Sequence, residues 1–423
     1  MKIDEALIRE IVLRVVENRL TQGQAQAAPS QVPPEAEPGR AEFLAAEQTC
    51  PVIFGAGALH TVGRKALELG CRKVLLVSDP GLVKLGLARR VADNLRASGV
   101  ASVLFDRVQP NPLDADCNAG GEIARREKVD GVVAVGGGSV MDSGKAIKVL
   151  TGNPPPISKY YGAAACERGA PLILIPTTAG TGSESTKYAV LTDAKTHEKK
   201  VALATGDLAI CDPELTYRLP KGLTAATGVD VLAHACESYA GGVHNPKADL
   251  LARAAIGKIA VWLPKAYRGE NNETARYEVM LACSFAGMAF NETLCHLGHA
   301  AAHSIGAVFN IPHGICCAWT LPETMAFCAA LYPERVAVIA AALQLEPRPG
   351  IAVAELGQLT ADGIRALLRQ LEIKSPRESG IERDDFLAVA GLVRKDFCYP
   401  VIPVSLSEAE IREFLGRAYD SYQ

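Results

Sequence analysis

The stretch GVVAVGGGSVMDSGKAIKV, residues 131–149, decides how this chain folds. Val132 to Val135 form a short β-branched run, three glycines and Ser139 follow, and Val140, Ala146 and Ile147 then take helical spacing. A strand that turns through glycine into a helix lets backbone amides approach a phosphate, and the helix amino terminus favours its negative charge. A tight turn that binds nothing is the plainer reading of the same letters. Two familiar phosphate motifs do not fit. A P-loop has four residues between its first glycine and the Gly-Lys pair, whereas Gly138 and Gly144 enclose five and Lys145 is followed by Ala146. The GxGxxG fingerprint is also missing, since FGAGAL has Gly55 and Gly57 but His60 in the third position. That segment reads as a turn near a sheet edge.

Working outward, similar apolar runs occur at 73–79 (KVLLVSD), 101–106 (ASVLFD) and 171–178 (PLILIPTT), with amphipathic stretches at 82–98 and 114–128 between them. The alternation predicts βαβ units and a parallel sheet. From about residue 219 the texture changes to long Ala- and Leu-rich segments at 222–241, 247–265, 274–290, 321–344, 353–371 and 408–420, all with helical periodicity. The expected architecture is an α/β dinucleotide-binding domain over 49–218 followed by an all-helical domain over 219–423. Upstream, residues 1–20 place Ile3, Leu7, Ile8, Ile11, Val12, Val15 and Val16 on one stripe of an amphipathic helix, and 21–48 form an Ala/Gln/Pro-rich linker too poor in large apolar residues to build a core.

The 423 residues are 48% hydrophobic and 22% charged, with a formal net charge of −3, which suits a two-domain globular chain and gives no electrostatic footprint for nucleic acid. No apolar run long enough to cross a bilayer stands out, and the amino terminus carries acids within its apolar stretch, so neither a membrane span nor a secretory leader is expected. Twelve cysteines without a CxxC pair fit reduced thiols in a cytoplasm, mostly as small core residues.

Two places supply metal ligands at helical spacing. In GVDVLAHACESY, Asp230 and His234 are four apart; in CHLGHAAAHSIGAVFNIPHGICCAW, residues 295–319, His299 and His303 are four apart and His313 follows ten residues later. One carboxylate with two or three imidazoles suits Fe(II) or Zn(II) with a position left for a substrate oxygen. Each histidine alone reads as a core or cap residue, and spacing does not choose between His303 and His313. The metallopeptidase spacing HExxH is absent. Among the glycine-loop neighbours, Asp79 ends an early strand, where a carboxylate can accept bonds from an adenosine ribose and repel a 2′-phosphate, or simply cap the next helix. PTTAGTGSES, 176–185, offers hydroxyls and amides at another strand's carboxyl end, as a cofactor loop or a polar turn would.

Four ordered motifs, GGGSVMDSGKA, PTTAGTGSE, TGVDVLAHACESY and GHAAAHSIGAVFNIPHG, resemble the iron-containing (group III) alcohol dehydrogenase family over about residues 50–423. The resemblance implies Asp230, His234, His299 and His313 as metal ligands for iron, with zinc as the alternative, and His303 as the histidine facing substrate. It implies NAD(H) as cofactor: Asp79 at the ribose, Gly138 and Ser139 with Gly137 beside them at the pyrophosphate, and the loop Thr177, Thr178, Gly180 and Thr181 along the dinucleotide. Asn111, Val190 and Lys199 are implied as further contacts and Asp142 as a catalytic-site neighbour of the nicotinamide. The segment after Lys199 is shorter than the family usually carries, which sets that lysine apart from the better-matched positions. The implied activity interconverts short-chain aldehydes and primary alcohols, with lactaldehyde or a diol as the other substrate class and a homo-oligomer as the assembly. A non-catalytic nucleotide-binding scaffold would need a broken constellation. Residues 1–20 resemble encapsulation peptides, which implies a cytoplasmic enzyme inside a bacterial microcompartment, contacting the shell or a co-encapsulated enzyme and regenerating NAD.

Overall fold

The computed structural model describes residues 50–162, 165–196 and 198–422. The helix expected at 1–20 and the linker at 21–48 lie outside the described residues. In chain order the strands are β1 (Val52–Phe54), β2 (Lys73–Val77), β3 (Ala101–Phe105), β4 (Gly131–Gly136), β5 (Leu172–Pro176), β6 (Tyr188–Thr192), β7 (Lys199–Leu203) and β8 (Leu208–Cys211). Six of them form one parallel sheet in the order β1-β8-β5-β4-β2-β3. Helices α1 (Val62–Glu68), α2 (Pro80–Lys84), α3 (Leu87–Ala97), α4 (Asp114–Arg126) and α5 (Gly138–Gly152) accompany it.

Both faces of this sheet are covered, which is why its strands read as unbroken apolar runs. Leu76, Val133, Val135 and Ile175 pack on one side with Val91 and Leu95 of α3, while Val77, Val132, Ala134 and Leu174 pack on the other with Met141 and Ile147 of α5. Alternate residues along each strand therefore serve opposite layers. From β2 the chain steps outward to β3 and then returns to the other side of β2 as β4. The strand order thus reverses between β2 and β4, and the crevice at their carboxyl ends is where an open parallel sheet takes a ligand.

After β8 no further strand follows among the described residues. The helices are α6 (Lys221–Ala240), α7 (Pro246–Arg268), α8 (Asn272–Thr293), α9 (Leu297–Phe309), α10 (His313–Leu331), α11 (Pro333–Ala342), α12 (Val353–Gln370), α13 (Arg383–Ala388), α14 (Ala390–Val393) and α15 (Glu408–Asp420). They share one core containing Leu232, Ile256, Met280, Ile305, Trp319 and Phe414.

Three readings of the sequence need correction. The stretch 82–98 is broken at Gly86, whose φ of 78° ends α2 before α3 begins. The segment 321–344 is two helices, because the chain turns at Tyr332 ahead of Pro333; α10 itself starts earlier, at His313. Strands β6 and β7 pair as an antiparallel hairpin that the periodicity did not single out. In addition, α10 is long and apolar enough to cross a membrane by length and composition, contrary to expectation, but 72% of that window is buried in the protein. Its apolarity is spent on the helical core.

A buried ion pair anchors α5 to the sheet. Asp207, just before β8, accepts Lys148 Nζ at 2.6 Å and the Leu172 amide at 2.8 Å through Oδ2, and Arg168 at 2.6 Å through Oδ1. Burial alone would raise the Asp207 carboxyl, but these donors hold it below its ordinary value. A carboxylate lowered in the folded state stabilises above its unfolded pKa of about 3.9 and loses that contribution as pH falls through the folded value. Asp207→Asn is expected to cost about 2 kcal/mol near neutrality, the low side for a broken buried pair because Arg168 reaches in from solvent. Denaturant melts at pH 7 and pH 3 check this, since the difference between wild type and variant should shrink at the lower pH.

Candidate metal centre and cofactor cleft

Asp230, His234 and Glu237 lie at i, i+4 and i+7 on α6 and so share one face, buried against α8, α9 and α10. His299 comes from the first turn of α9 and His313 is the first residue of α10. Asp230 Oδ1 stands 3.6 Å from His234 Nδ1, 3.8 Å from His299 Nε2 and 3.3 Å from His313 Nε2. These spacings exceed the usual N–H···O bond of about 2.7–3.2 Å. The 3.3 and 3.6 Å spacings match donors gathered about one ion, since bonds of about 2.0–2.2 Å in a tetrahedral set put neighbouring donors roughly 3.3–3.6 Å apart, and the third is 0.2 Å longer.

Two further observations say that the residues fit a divalent cation. His234 Nδ1 is buried and has no hydrogen-bond partner among the described residues, although its ring is clamped at 4.3 Å against Phe290. Such an orphan is costly unless something else satisfies it. The second observation is electrostatic: burial would raise Asp230, yet His234, His313 and His299 hold it well below the carboxylate range. Burial drives His234 down to about 3 against the pull of Asp230.

Glu237 was not singled out in the sequence. Its Oε1 is 2.6 Å from His299 Nδ1, which assigns the ring proton to that nitrogen and leaves Nε2 facing Asp230. Oε2 accepts the His296 amide at 2.7 Å. Burial opposes ionisation of Glu237, but His299 and His296 bring it down to about 2. An acid seven residues after Asp230 on an otherwise apolar helix was the available signal.

The geometry also separates the two histidines that spacing left equivalent. His313 faces Asp230, whereas His303 stacks between His313 and Phe397, each at 5.1 Å, and its Nδ1 lies 3.0 Å from Asp396 Oδ2. Asp396 and Phe397, between α14 and α15, are a further pair that local motifs did not reveal.

The polar loops meet at the crevice. Asp79 follows β2, Gly137 to Ser139 follow β4, and Thr177 to Thr181 follow β5. Gly137 is the extended cap of α5 and has no side-chain hydrogen bond there. A Cβ on Gly138 would stand 2.6 Å from Thr181 Cγ2, so the two loops touch and a side chain there would have to displace Thr181. Gly180 packs against Thr227 of α6 in the same way, and a Cβ there would come within 2.8 Å of Thr227 Cβ. Gly182, at φ +59°, lies so close to α8 that a Cβ would meet Gly287 Cα at 2.7 Å. The loop after β5 is therefore clamped to the helical half by backbone contact. Asp79 Oδ1 accepts the Leu82 amide at 2.9 Å, so the capping role does occur, at the mouth of the same crevice.

The remaining residues implied by the resemblance line the hairpin side. Lys199 Nζ donates to Asn111 Oδ1 at 2.8 Å and to Thr192 Oγ1 at 3.1 Å, so the short segment after Lys199 does not carry it away from Asn111. Burial lowers the Lys199 amine, opposed by Asp142 and Asp396. Asp142 accepts Ser183 Oγ at 2.6 Å and lies 3.8 Å from Lys145 Nζ; Val190 bonds to it through its backbone. Lys145, fully buried, also donates to Ser183 Oγ, Thr186 Oγ1 and the Tyr188 carbonyl. This network ties α5, the loop after β5 and the hairpin together.

A nucleotide-type crevice joined to a buried carboxylate–imidazole cluster defines a two-part oxidoreductase architecture. Comparison with known proteins agrees. The family model described as iron-containing alcohol dehydrogenase matches residues 51–213, and the model of that family's C-terminal part matches 224–419. The chain is 36% identical over 374 residues to the 1,3-propanediol dehydrogenase of Citrobacter freundii, covering 87% of this chain and 96% of that one. It is 34% identical over 371 residues to the NAD-dependent methanol dehydrogenase of Bacillus methanolicus, with 86% and 97% covered. A solved 1,3-propanediol oxidoreductase superposes with a TM-score of 0.85 at 34% identity, over 89% of this chain and 100% of that one. The chain belongs to the iron-containing alcohol dehydrogenase family.

Proposed function

We propose that this oxidoreductase is an NAD(H)-linked, metal-dependent alcohol dehydrogenase that interconverts short-chain aldehydes and primary alcohols. The observation that carries the reading is the cluster of Asp230, His234, His299 and His313 beside a glycine loop at the sheet's reversal point. Names of relatives support the substrate class, since they include methanol and 1,3-propanediol dehydrogenases, and the methanol enzyme is NAD-dependent.

In this reading Asp230 and the three imidazoles hold the ion, with iron as the family name suggests. When bound, the ion supplies Lewis acidity to the substrate oxygen and the nicotinamide supplies or accepts hydride. The chain's own groups do the rest. Glu237 fixes the His299 ring, so that Nε2 is presented to the ion. The Gly138 and Ser139 amides at the start of α5 receive the pyrophosphate, and Asp79 receives the ribose hydroxyls and repels a 2′-phosphate. His303 passes the hydroxyl proton toward solvent at Nε2 while Asp396 holds Nδ1.

His303→Ala is expected to lower turnover by about 10²-fold, the scale of one general acid–base group, and to change the pH profile. An unchanged rate and profile would remove the relay role. The whole assignment is tested by NADH oxidation across a panel of linear aldehydes, lactaldehyde and diol-derived aldehydes after anaerobic reconstitution with iron or zinc. No aldehyde-dependent oxidation with either metal would sink it.

Residues 1–20 carry the second part of the proposal, a tag that brings a cytoplasmic enzyme into a microcompartment through its shell or another cargo protein. Their apolar stripe and the Pro-rich spacer after it support this. Removing residues 1–48 should leave kcat and metal content in solution unchanged and abolish co-purification with shells. Loss of activity or metal in the truncated enzyme would overturn the tag.

A further inference from the structure

Two lysines on α5 answer burial in different ways. Lys148 meets a carboxylate directly, with Nζ 2.6 Å from Asp207 Oδ2. Lys145, one turn earlier and with its side chain fully buried, spends its three protons on uncharged oxygens: Ser183 Oγ at 2.9 Å, Thr186 Oγ1 at 3.2 Å and the Tyr188 carbonyl at 2.7 Å. The Asp142 carboxylate stands off at 3.8 Å. An ammonium has donors and no acceptor, so Ser183 Oγ receives from Lys145 and turns its own proton to Asp142 Oδ1, at 2.6 Å. The serine thus bridges a buried cation to an anion, and the charge of Lys145 sets the direction of both bonds. Burial raises the Asp142 carboxyl, and Lys145 is the largest of the influences opposing it, ahead of Ser183, the Val190 backbone and Lys199. Asp142 also stands at the end of the crevice where redox chemistry belongs. A dinucleotide laid from Asp79, after β2, across Gly138, after β4, carries its nicotinamide on toward β5, the hairpin and the metal cluster. Lys199 of the hairpin is influenced by both Asp142 and Asp396, and Asp396 bonds His303, which stacks on His313. The Asp142 side chain keeps 14% of its surface exposed there, where that of Lys145 keeps none.

We infer that Lys145 is a positioning residue that acts through Ser183 to keep Asp142 as a carboxylate beside the nicotinamide, so that the chain favours the oxidised over the reduced dinucleotide. The inference rests on the NAD(H) reading above. The oxidised ring is cationic and the reduced ring neutral, so a fixed negative charge beside it holds the oxidised form more tightly. In aldehyde reduction hydride leaves the ring with its electron pair for the carbonyl carbon, a proton joins the oxygen, and the positive charge left on the ring meets Asp142. Without Lys145 the buried carboxyl has less to oppose its protonation, and the neutral acid has no such preference.

The test is the ratio of dissociation constants for NAD⁺ and NADH on the full-length, metal-loaded enzyme, with NADH read by its fluorescence and NAD⁺ by competition against it. In Asp142→Asn and in Lys145→Met the ratio should rise by about tenfold or more, the scale of one unit charge acting across several ångströms near a protein surface. Ser183→Ala breaks the bridge and should raise it in the same direction. Thr186→Val takes one bond from Lys145 without touching Asp142, and should leave the ratio as in the wild type. Equal weakening of both forms in the Asp142 and Lys145 variants would mean that the network only shapes the crevice, and would overturn the inference while leaving NAD(H) binding intact. A ratio that changes in Asp142→Asn but not in Lys145→Met, or that changes as much in Thr186→Val, would overturn the role of Lys145. A wild type that binds neither form would instead overturn the cofactor reading beneath. If Lys145→Met does not fold, Lys145→Gln keeps a donor without the charge and carries the same expectation. Should both fail to fold, Ser183→Ala decides: a raised ratio supports the bridge and an unchanged one removes it.

Discussion

Asp230→Asn is expected to abolish metal retention and lower kcat/KM for aldehyde reduction by about 10³-fold or more. The Asp230 oxygen is common to all three imidazole approaches, at 3.3, 3.6 and 3.8 Å, so its charge is what makes the cluster attractive to a cation. Asparagine keeps the shape, and so separates charge from packing. A bound ion supplies several kcal/mol of transition-state stabilisation, and at about 1.4 kcal/mol per decade its loss is worth three orders of magnitude or more. Metal analysis of the purified variant, alongside steady-state rates, checks the result. Glu237→Gln provides the graded comparison. It acts through His299 and still offers an oxygen to Nδ1, so the loss in metal affinity should be about 10- to 100-fold. A fully loaded, active Asp230→Asn enzyme would remove Asp230 from the ligand set.

The second large effect is expected at Gly314, where the side chain is absent. A Cβ there would stand 2.0 Å from the Ala226 carbonyl oxygen and 2.7 Å from its carbon, both backbone of α6. Neither helix can yield by turning a side chain. Gly314→Ala must push the start of α10 away from α6, and His313, the adjacent residue, is carried from Asp230 with it. Forced overpacking of this kind costs about 1–3 kcal/mol, and metal affinity should fall more steeply than stability because donors fixed on two helices separate. Denaturant titration and metal competition on the same protein read both quantities. Gly222, on the same α6, is the control: a Cβ there meets nothing within 4 Å, and Gly222→Ala should be neutral or stabilising by about 0.5 kcal/mol. Equal behaviour of the two variants would mean that the α6–α10 contact does not set the position of His313.

What was legible in the sequence was local. The parallel strands announced themselves because both sheet faces are buried, leaving runs such as Val132–Val135 unbroken. Asp230 with His234, and His299 with His303, were visible because one helical turn puts them on one face. The residues that complete the site were less visible, each for a physical reason. Glu237 is a carboxylate on a helix, a residue type that usually faces water. Asp396 meets His303 across 93 positions of sequence, and no periodicity reports such a pairing. The distinction between His303 and His313 depended on how the chain re-enters the core after Asn310, whose left-handed φ of 53° ends α9 and redirects it. The β6–β7 hairpin did not stand out because its apolar runs, Tyr188–Leu191 and Val201–Ala204, are only four residues long and are separated by a lysine-rich stretch.

The contact of Gly182 with Gly287 bears on how the enzyme breathes. At Gly182 and Gly287 the two backbones meet directly, and beside them Ser284 Oγ of α8 donates to Glu184 Oε1 at 3.3 Å, so the loop after β5 has little room for a small displacement. Ser183 to Ser185 can be exposed to solvent only by lifting them off the middle of a 22-residue helix. Their amides should then exchange hydrogen on the slow timescale of α8, which makes this loop a fixed wall of the crevice.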